Sequence, residues 1–477
     1  MRKTYLLLLA LLGTAAANAQ DSLWTLQRSI QYAVANNLDI RQSVLSERLT
    51  KLQLQQSQLS MIPSVSASTN VGRSYGRSID PTTNQFSTAG YTFYGLNGNV
   101  DVLLFGWFQK QHTIAQDKLL NRAAAADLDQ LKNDISLNVA TGFLRILLAR
   151  EQINIAENQV KFSLKQKEQT AYFVKAGRSP ELDLAQMEAQ VATDSSNYIT
   201  AIVTYQQAVL DMKAIMNFDM AEPFFPVAPE VNKISLQEMG SLTPESVYVV
   251  ARENFGSIKS SQLKMDAAKK TLAAAKGNLY PQLALSGQFG TNYASTLREP
   301  IDIQFTGYKP NGSIVYGTDG SPIAVQEPTY SANTRTTPFW TQLDNNFRQT
   351  FALSLNVPLF NGWTARTAVN RSKVDVLSKQ LNLEQSKVNL KQSVYKAYYD
   401  ASAAIQKYYA TSRADESSDR AYNYAQKRYE LGLMNALELL TTQNNAFKAK
   451  AEALSAKYDL VFKLKVIDYY LGKEIKL

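Results

Sequence analysis

The chain carries one series of landmarks twice. Pro63 in MIPSVSAS returns as Pro281 in LYPQLALS, 218 residues later. The pair Gly106-Trp107 of VLLFGW returns as Gly362-Trp363 of VPLFNGW, 256 later, and Gly177 of YFVKAGRSPELDL as Gly432 of RYELGLMNALEL, 255 later. A period above about 200 residues is far too long for a solenoid, so the duplicated unit has the size of a domain. From the Gly-Trp pair to the following glycine the copies span 71 and 70 residues. Between the proline and that pair the second copy is 38 residues longer. A segment of fixed length therefore adjoins one that tolerates insertion.

The fixed segment reads as helix. Leu128, Leu131, Ile135, Val139, Phe143, Ile146 and Ile153 step by threes, fours and one seven; Val374, Leu377, Leu381, Val388, Val394, Ala401, Ile405 and Tyr408 do much the same. This periodicity runs over many turns, and ~65 helical residues make a rod of roughly 100 Å. Each rod meets a breaker and a new start. Ser179-Pro180-Glu181 offers an N-cap, a proline at the first helical position and an acidic first turn. Asn435 followed by Glu438 is a variant of the capping box. The return helices run to about Asn217 and Tyr470, and shorter helices precede each repeated proline, near 40–59 and 258–278.

Around the prolines the period changes to two. Leu283, Leu285, Gly287 and Phe289 alternate with Ala284, Ser286 and Gln288; Phe351, Leu353, Leu355 and Val357 alternate with Ala352, Ser354 and Asn356. The first copy matches, with Val65, Ala67, Thr69 and Val71 among serines, then Gly98, Val100, Val102 and Leu104 against Asn97, Asn99 and Asp101. Strands of about ten residues with one apolar and one polar face are the pattern of a transmembrane barrel. The half-buried sheet of a soluble domain alternates identically. Between strands, residues 72–96 and 291–347 read as loops, and residues 217–244, with Pro223, Pro226 and Pro229, as a linker.

The N-terminus favours the membrane reading. Arg2 and Lys3 precede a Leu-rich stretch and the small residues ending at Ala19, a secretory signal with cleavage expected after Ala19. No later stretch has 18 consecutive apolar residues, so an exported chain of this kind enters a membrane only as strands of a closed barrel. The formal charge of +9, including both signal bases, is spread without a basic block, which argues against a nucleic-acid partner. With no cysteine there are no disulfides or thiolate metal sites, and the one histidine, His112, cannot build a multi-histidine site within one chain. No phosphate-loop or dinucleotide pattern occurs. We therefore expect no enzyme activity, no cofactor and no metal.

Four membrane strands cannot close a barrel alone, since the smallest bacterial examples have about eight. Dimers, trimers and tetramers would supply eight, twelve or sixteen. A passage favours at least twelve, because eight leave an interior filled by side chains.

The order and spacing of YPQLALS, NVPLFNGW and YELGLMNALELLTTQNN, with the duplicated plan around them, resemble the TolC family of outer-membrane efflux channels over essentially the whole mature chain. The resemblance implies a mainly α protein with membrane β. It implies a homotrimeric, 12-stranded β-barrel with four strands per chain in outer-membrane lipid, continuous with a long periplasmic α-helical barrel, and an equatorial belt from the linker and both terminal regions. The expected layout is a signal peptide over 1–19, a first repeat over 20–230 with strands near 64–72 and 96–105, and a second over 231–477 with strands near 281–291 and 348–359. Leu477, close behind the last helix, leads us to expect no long C-terminal extension. The implied function is a passive exit duct of a Gram-negative tripartite system, with a periplasmic adaptor (membrane fusion) protein and an inner-membrane transporter as partners. The alternative is a periplasmic coiled-coil structural or adaptor protein with a soluble sheet.

In the family, a tyrosine, an arginine and acids close the periplasmic tip at the glycine turns, with acidic rings in the bore. Aligned on Gly177 and Gly432, the inter-helix acid falls on Asp183, the tyrosine on Tyr429 and the first ring acid on Glu438. The family's arginine falls on Met434 and its second ring acid on Thr441, so the same ion-pair lock is not expected and packing takes its place. Asp183 and Glu438 also suit helix starts through the macrodipole.

Overall fold

The computed structural model describes residues 23–79, 86–88, 90–227 and 242–473. The expected signal peptide, and parts of the expected linker and of the first loop, lie outside them. In chain order the elements are α1 (Leu26–Asn36), α2 (Leu38–Leu59), β1 (Ser64–Ser74), β2 (Tyr91–Phe105), α3 (Gln109–Lys175) and α4 (Glu181–Met216), then α5 (Pro244–Asn254) and α6 (Gly256–Gly277). They continue as β3 (Gln282–Ala294), β4 (Arg298–Tyr316), β5 (Pro322–Thr336), α7 (Phe339–Asn345), β6 (Arg348–Asn356), α8 (Thr364–Glu430) and α9 (Ala436–Tyr470). The rods α3 and α8 each have 67 residues. The protein is mostly helical with a smaller share of sheet, and among the described residues no helix is long and apolar enough to cross a membrane.

The chain divides into two compact units. The first holds residues up to Leu54, Ala115–Lys269 and Lys373–Leu477. Its largest core gathers Val139, Phe143, Ile146 and Leu147 of α3 against Met212 and Met216 of α4. Trp24, Phe218 and Phe224 join that core, with Trp24 5.2 Å from the Phe218 ring and 5.3 Å from the Phe224 ring. Two short helices escaped the sequence reading. Thr25 caps α1 by accepting from the Arg28 amide, and Thr243 forms a capping box with Ser246 ahead of Pro244 to start α5. Asn37 separates α1 from α2: its Oδ1 accepts from the amides of Asp39 and Ile40, and its Nδ2 donates to the Ile215 carbonyl at 2.8 Å.

The apolar stripe read on α8 splits in two. Val394 and Ala401 are buried, with Leu383, Leu390 and Ala397, against Val247, Ala251 and Met265. Val374, Leu377, Leu381 and Val388, read as one continuous helical seam with these, are exposed instead. They face away from the chain's own core. Leu45, Leu49, Leu52 and Leu59 of α2 are likewise exposed.

The second unit comprises Gln55–Ile114 and Lys270–Ser372 and contains the sheet. Its strands lie in the order β6-β3-β2-β1, each neighbouring pair antiparallel. Register sorts the side chains cleanly. Leu285 lies opposite Leu353 and Val102, Leu283 opposite Leu355, and Val65 opposite Val100, all on one face. The other face carries Ser66, Asn99, Gln288 and Thr350 in one row, and Ser64, Asp101, Ser286 and Ala352 in the next. Directly opposed residues share a face, so the period-two pattern in each strand adds up to one apolar and one polar surface.

The segment 291–347, read as loop, is instead structured. β4 and β5 form a long antiparallel hairpin, followed by the short helix α7. Its register shifts between Pro300 and Asp302, Phe305 and Gly307, and Pro310 and Ile314, and nearly all its residues are exposed. With neither face buried, nothing imposed the alternation that betrays the other strands.

Candidate functional site

The free ends of the helical rods are closed by two turns built alike. At the end of α3, Gly177 (φ 69°) donates its amide to the Val174 carbonyl, and Arg178 donates to the Phe173 carbonyl. At the end of α8, Gly432 (φ 70°) donates to Tyr429, and Leu433 to Arg428. Both are Schellman motifs, in which the left-handed residue satisfies carbonyls that the last helical turn leaves open. Arg178 covers the ring of Phe173 at 5.1 Å, supplying the side-chain contact that usually accompanies the motif.

A Cβ at position 177 would meet nothing within 4 Å, so a side chain there is opposed by the backbone alone. Left-handed φ costs an L-residue about 1–2 kcal/mol. Gly177→Ala should therefore speed amide exchange at Arg178 by roughly five- to thirty-fold, with α3 otherwise protected. Unchanged exchange would show that the turn is not held by its glycine.

The helices beyond the turns start differently from each other. The N-cap of α4 is Pro180, with no side-chain cap, rather than Ser179 as expected. Ser179 donates its hydroxyl to Asp183 Oδ2 at 2.6 Å, because the proline has already set the chain direction and leaves the serine free to reach the first-turn acid. Asn435 caps α9 by accepting from the Glu438 amide at 2.8 Å, and its Nδ2 donates to Glu438 Oε1 at 3.1 Å. The acid thus answers the cap's side chain instead of its backbone, a variant of the capping box.

Asp183, Tyr429, Gly432 and Glu438 line one cleft of about 480 Å³, together with Arg178 and Met434. Gly177, which the sequence groups with them, does not line the cleft. The Tyr429 hydroxyl, buried, lies 2.8 Å from Thr170 Oγ1, tying α8 to α3. Burial raises the Tyr429 phenol, the Thr170 hydrogen bond opposes that, and the nearby Asp183 carboxylate adds a further upward push. Asp183 and Tyr429 therefore share a cleft without bonding directly. Among the described residues no ion pair crosses it.

Beneath lies an apolar cluster of Met187, Tyr422, Tyr429, Leu439 and Leu440, with Phe173 and Met434 packed against it. Met434, where the family has its arginine, thus contributes packing. Further along α4, Asp194 is buried and accepts from Gln159 at 3.2 Å and Gln190 at 2.8 Å; burial holds its carboxyl above the ordinary range. Ser179 was expected as the N-cap and not as the partner of Asp183, and Thr170 was missed; its only signal was position, two turns before Gly177, and a hydroxyl there is common on any helix.

Twin long helices, cleft-closing Schellman turns and a four-stranded sheet with opposite apolar and polar faces define a TolC-like channel fold. The chain belongs to the outer membrane efflux protein family, whose model matches residues 29–217 and 247–473. It is 19% identical over 438 residues to the toxin and drug export protein A of Aggregatibacter actinomycetemcomitans, covering 91% of this chain and 83% of that one. It is 20% identical over 340 residues to the outer membrane protein TolC of Escherichia coli (strain K12), covering 70% of this chain and 61% of TolC. The match thus spans about three-fifths of TolC's length. The crystal structure of the Campylobacter jejuni CmeC outer membrane channel superposes with a TM-score of 0.75 at 16% identity, over 94% of this chain and 85% of that one. The chain is an outer-membrane efflux protein with a channel fold.

Proposed function

We propose that three copies form a passive exit duct across the outer membrane, each giving four strands to a 12-stranded barrel and its paired rods to a periplasmic helical barrel. The observation that carries this is the sheet. Its edge strands β1 and β6 each pair on one side only, among the described residues, and its apolar face is left uncovered by the chain, with Val65, Phe351, Leu353 and Leu355 exposed. Strands alternate in direction across four positions, so β6 of one copy meets β1 of the next antiparallel, and closure removes both edges. The exposed seams on α2 and α8 support the same assembly, since apolar stripes at coiled-coil spacing bury themselves against neighbouring helices.

A duct of this kind has no energy source. A periplasmic adaptor engaging the helical tip and an inner-membrane transporter supply direction, and the name of one relative, a toxin and drug export protein, points to toxins and drugs as cargo. The duplicated landmarks reflect one ancestral half-unit used twice. The alternative, a soluble periplasmic coiled-coil protein, leaves the exposed apolar sheet without a solvent. Extraction separates the readings: the duct requires detergent to leave the outer membrane and conducts when reconstituted, whereas the soluble protein is released without detergent.

At the tip, Gly177 and Gly432 set the turns, Asp183 and Tyr429 hold the closed cleft, and Glu438 from three copies forms an acidic ring. Rings of acids favour cations. Glu438→Gln keeps the side-chain oxygen that the Asn435 amide donates to, so the helix start should survive. Cation-over-anion selectivity in planar bilayers should fall, from a modest starting value because Thr441 replaces a second acid. An unchanged reversal potential in the intact variant would reduce Glu438 to a capping residue.

A further inference from the structure

The rod α3 changes character along its length. As far as Ala149 it buries mainly apolar side chains, Val139, Phe143, Ile146 and Leu147 among them; beyond Ala149 every residue it buries is polar. These are Gln159, Ser163, Gln166 and Thr170, which step by four, three and four, the spacing at which a paired helix presents its apolar seam. Polar side chains at such positions cost stability, and their best-attested uses are to set register or to operate a switch. The layer is already buried among helices of one chain, so its enclosure does not depend on a neighbouring copy.

At its centre is a carboxyl group without a counter-charge. Asp194 of α4, 3% exposed, accepts from Gln159 Nε2 at 3.2 Å and from Gln190 Nε2 at 2.8 Å, and the Ser163 hydroxyl faces it. Behind Gln190 stands Asn444 of α9, which accepts from the same amide at 3.3 Å. The charged groups of the surrounding helices are engaged elsewhere. Lys161 pairs with Glu157 along α3 at 2.6 Å, Lys167 of α3 with Glu188 of α4 at 3.3 Å, and Lys450 of α9 acts on Asp415 of α8. Lys165, Glu168 and Lys448 are exposed.

The Oε1 of Gln159 is buried and, among the described residues, has no hydrogen-bond partner. Gln159 thus uses its donor on Asp194 and leaves the acceptor beside it empty. A carboxylate only accepts and cannot fill that place, whereas a protonated carboxyl carries one O–H and can. A neutral acid facing a primary amide closes a ring of two hydrogen bonds, amide N–H to acid carbonyl and acid O–H to amide oxygen.

We propose that Asp194 is a proton-operated latch between α3 and α4: with a proton taken from solvent it closes the two-bond ring with Gln159 and tightens the tip half of the bundle, and ionised it leaves that half slack. Burial moves the carboxyl in the direction this requires, upward from the ordinary range, against the pull of the Gln190, Ser163 and Gln159 donors. Because the folded-state value lies above the unfolded one, the stabilisation is present at acid pH and lost as pH rises through the folded value.

The test is amide hydrogen exchange of the full-length protein in detergent, read over residues 190–198 of α4 at about pH 4.5 and about pH 8, with each rate divided by the intrinsic rate at that pH. Wild type should exchange about fivefold more slowly at the acid end. Asp194→Asn, neutral at every pH and still able to pair with the Gln159 amide, should be slow at both. Gln159→Met keeps the side chain's length without the amide and should lose most of the acid gain. An unchanged pH step in Asp194→Asn would assign the titration to another group, and an unchanged step in Gln159→Met would reduce Asp194 to a buried acid without a ring; either overturns the latch. An infrared difference spectrum between wild type and Asp194→Asn reads the proton independently of stability. A hydrogen-bonded neutral-carboxyl band that grows on acidification supports the latch, and its absence at the acid end overturns it even where Gln159→Met fails to fold. The latch lies within one chain, so failure of the duct reading would show in conduction and leave these results standing.

Discussion

Arginine at Leu285 is expected to cost the assembled protein about 2–4 kcal/mol, and arginine at Ser286, one residue along the same strand, much less. The two positions share a depth and differ only in face. Leu285 lies among Leu353 and Val102, and Ser286 among Ala352 and Asp101. If the apolar face meets lipid, the first substitution places a charge in hydrocarbon, while the second points one into a watery lumen. Fractions of folded protein in outer-membrane extracts, or unfolding in lipid, would read the difference. The pair Leu355→Arg and Asn356→Arg should repeat it near the strand end with smaller effects, because the penalty falls towards the interface. Equal losses on both faces would mean that the alternation belongs to a soluble sheet.

A larger effect still is expected from shortening one rod. Removing residues 377–383 from α8 takes out two helical turns, about 10 Å, while keeping the heptad phase. The unchanged α3, also 67 residues long, would then overrun its partner, and Tyr429 could no longer stand opposite Thr170. Assembled channel should be absent. Removing residues 311–320, at the tip of the β4–β5 hairpin, should leave assembly near wild-type levels, since those residues touch no core and closure entropy changes slowly with length. Comparable tolerance of the two deletions would contradict a design of fixed rods and variable loops.

These predictions draw unevenly on sequence. The sheet strands were legible because each must present one apolar face, so Val65 to Val71 and Leu283 to Phe289 announce their period. The start of β2 was not, because Tyr91-Thr92-Phe93-Tyr94 lacks the polar alternation and resembles the surrounding loop. The end of β6 was read too far, to 359, where Pro358 cannot donate to a ladder and the strand stops at Asn356.

The hairpin β4–β5 shows the opposite limit. Pro300, Pro310 and Pro328, three register shifts and two wet faces erase the pattern while the backbone pairing survives. On α8 the sequence showed helical spacing but not which partner each residue has. Val394 and Val388 look equivalent in sequence, yet one is buried within the chain and the other exposed. At the tip, aligning the glycines found Asp183, Tyr429 and Glu438, which line one cleft, and the spacing of Asn435 and Glu438 showed their cap, but the bonds of Tyr429 to Thr170 and of Ser179 to Asp183 follow from three-dimensional proximity and local turn geometry.

The most direct test of a barrel shared by three chains uses the absence of cysteine from the sequence. With Ser354→Cys on β6 held constant and single cysteines placed in turn at Ser64, Ser66 and Ser68 on β1, any disulfide must come from the introduced pair. These serines share the polar face of the sheet but occupy its opposite edges. Closure of the barrel predicts that at least one pair crosslinks between chains, and that complete oxidation yields a covalent species of three chains and nothing larger. Crosslinks confined within one chain, no crosslink at any register, or a ladder running past three chains would contradict it.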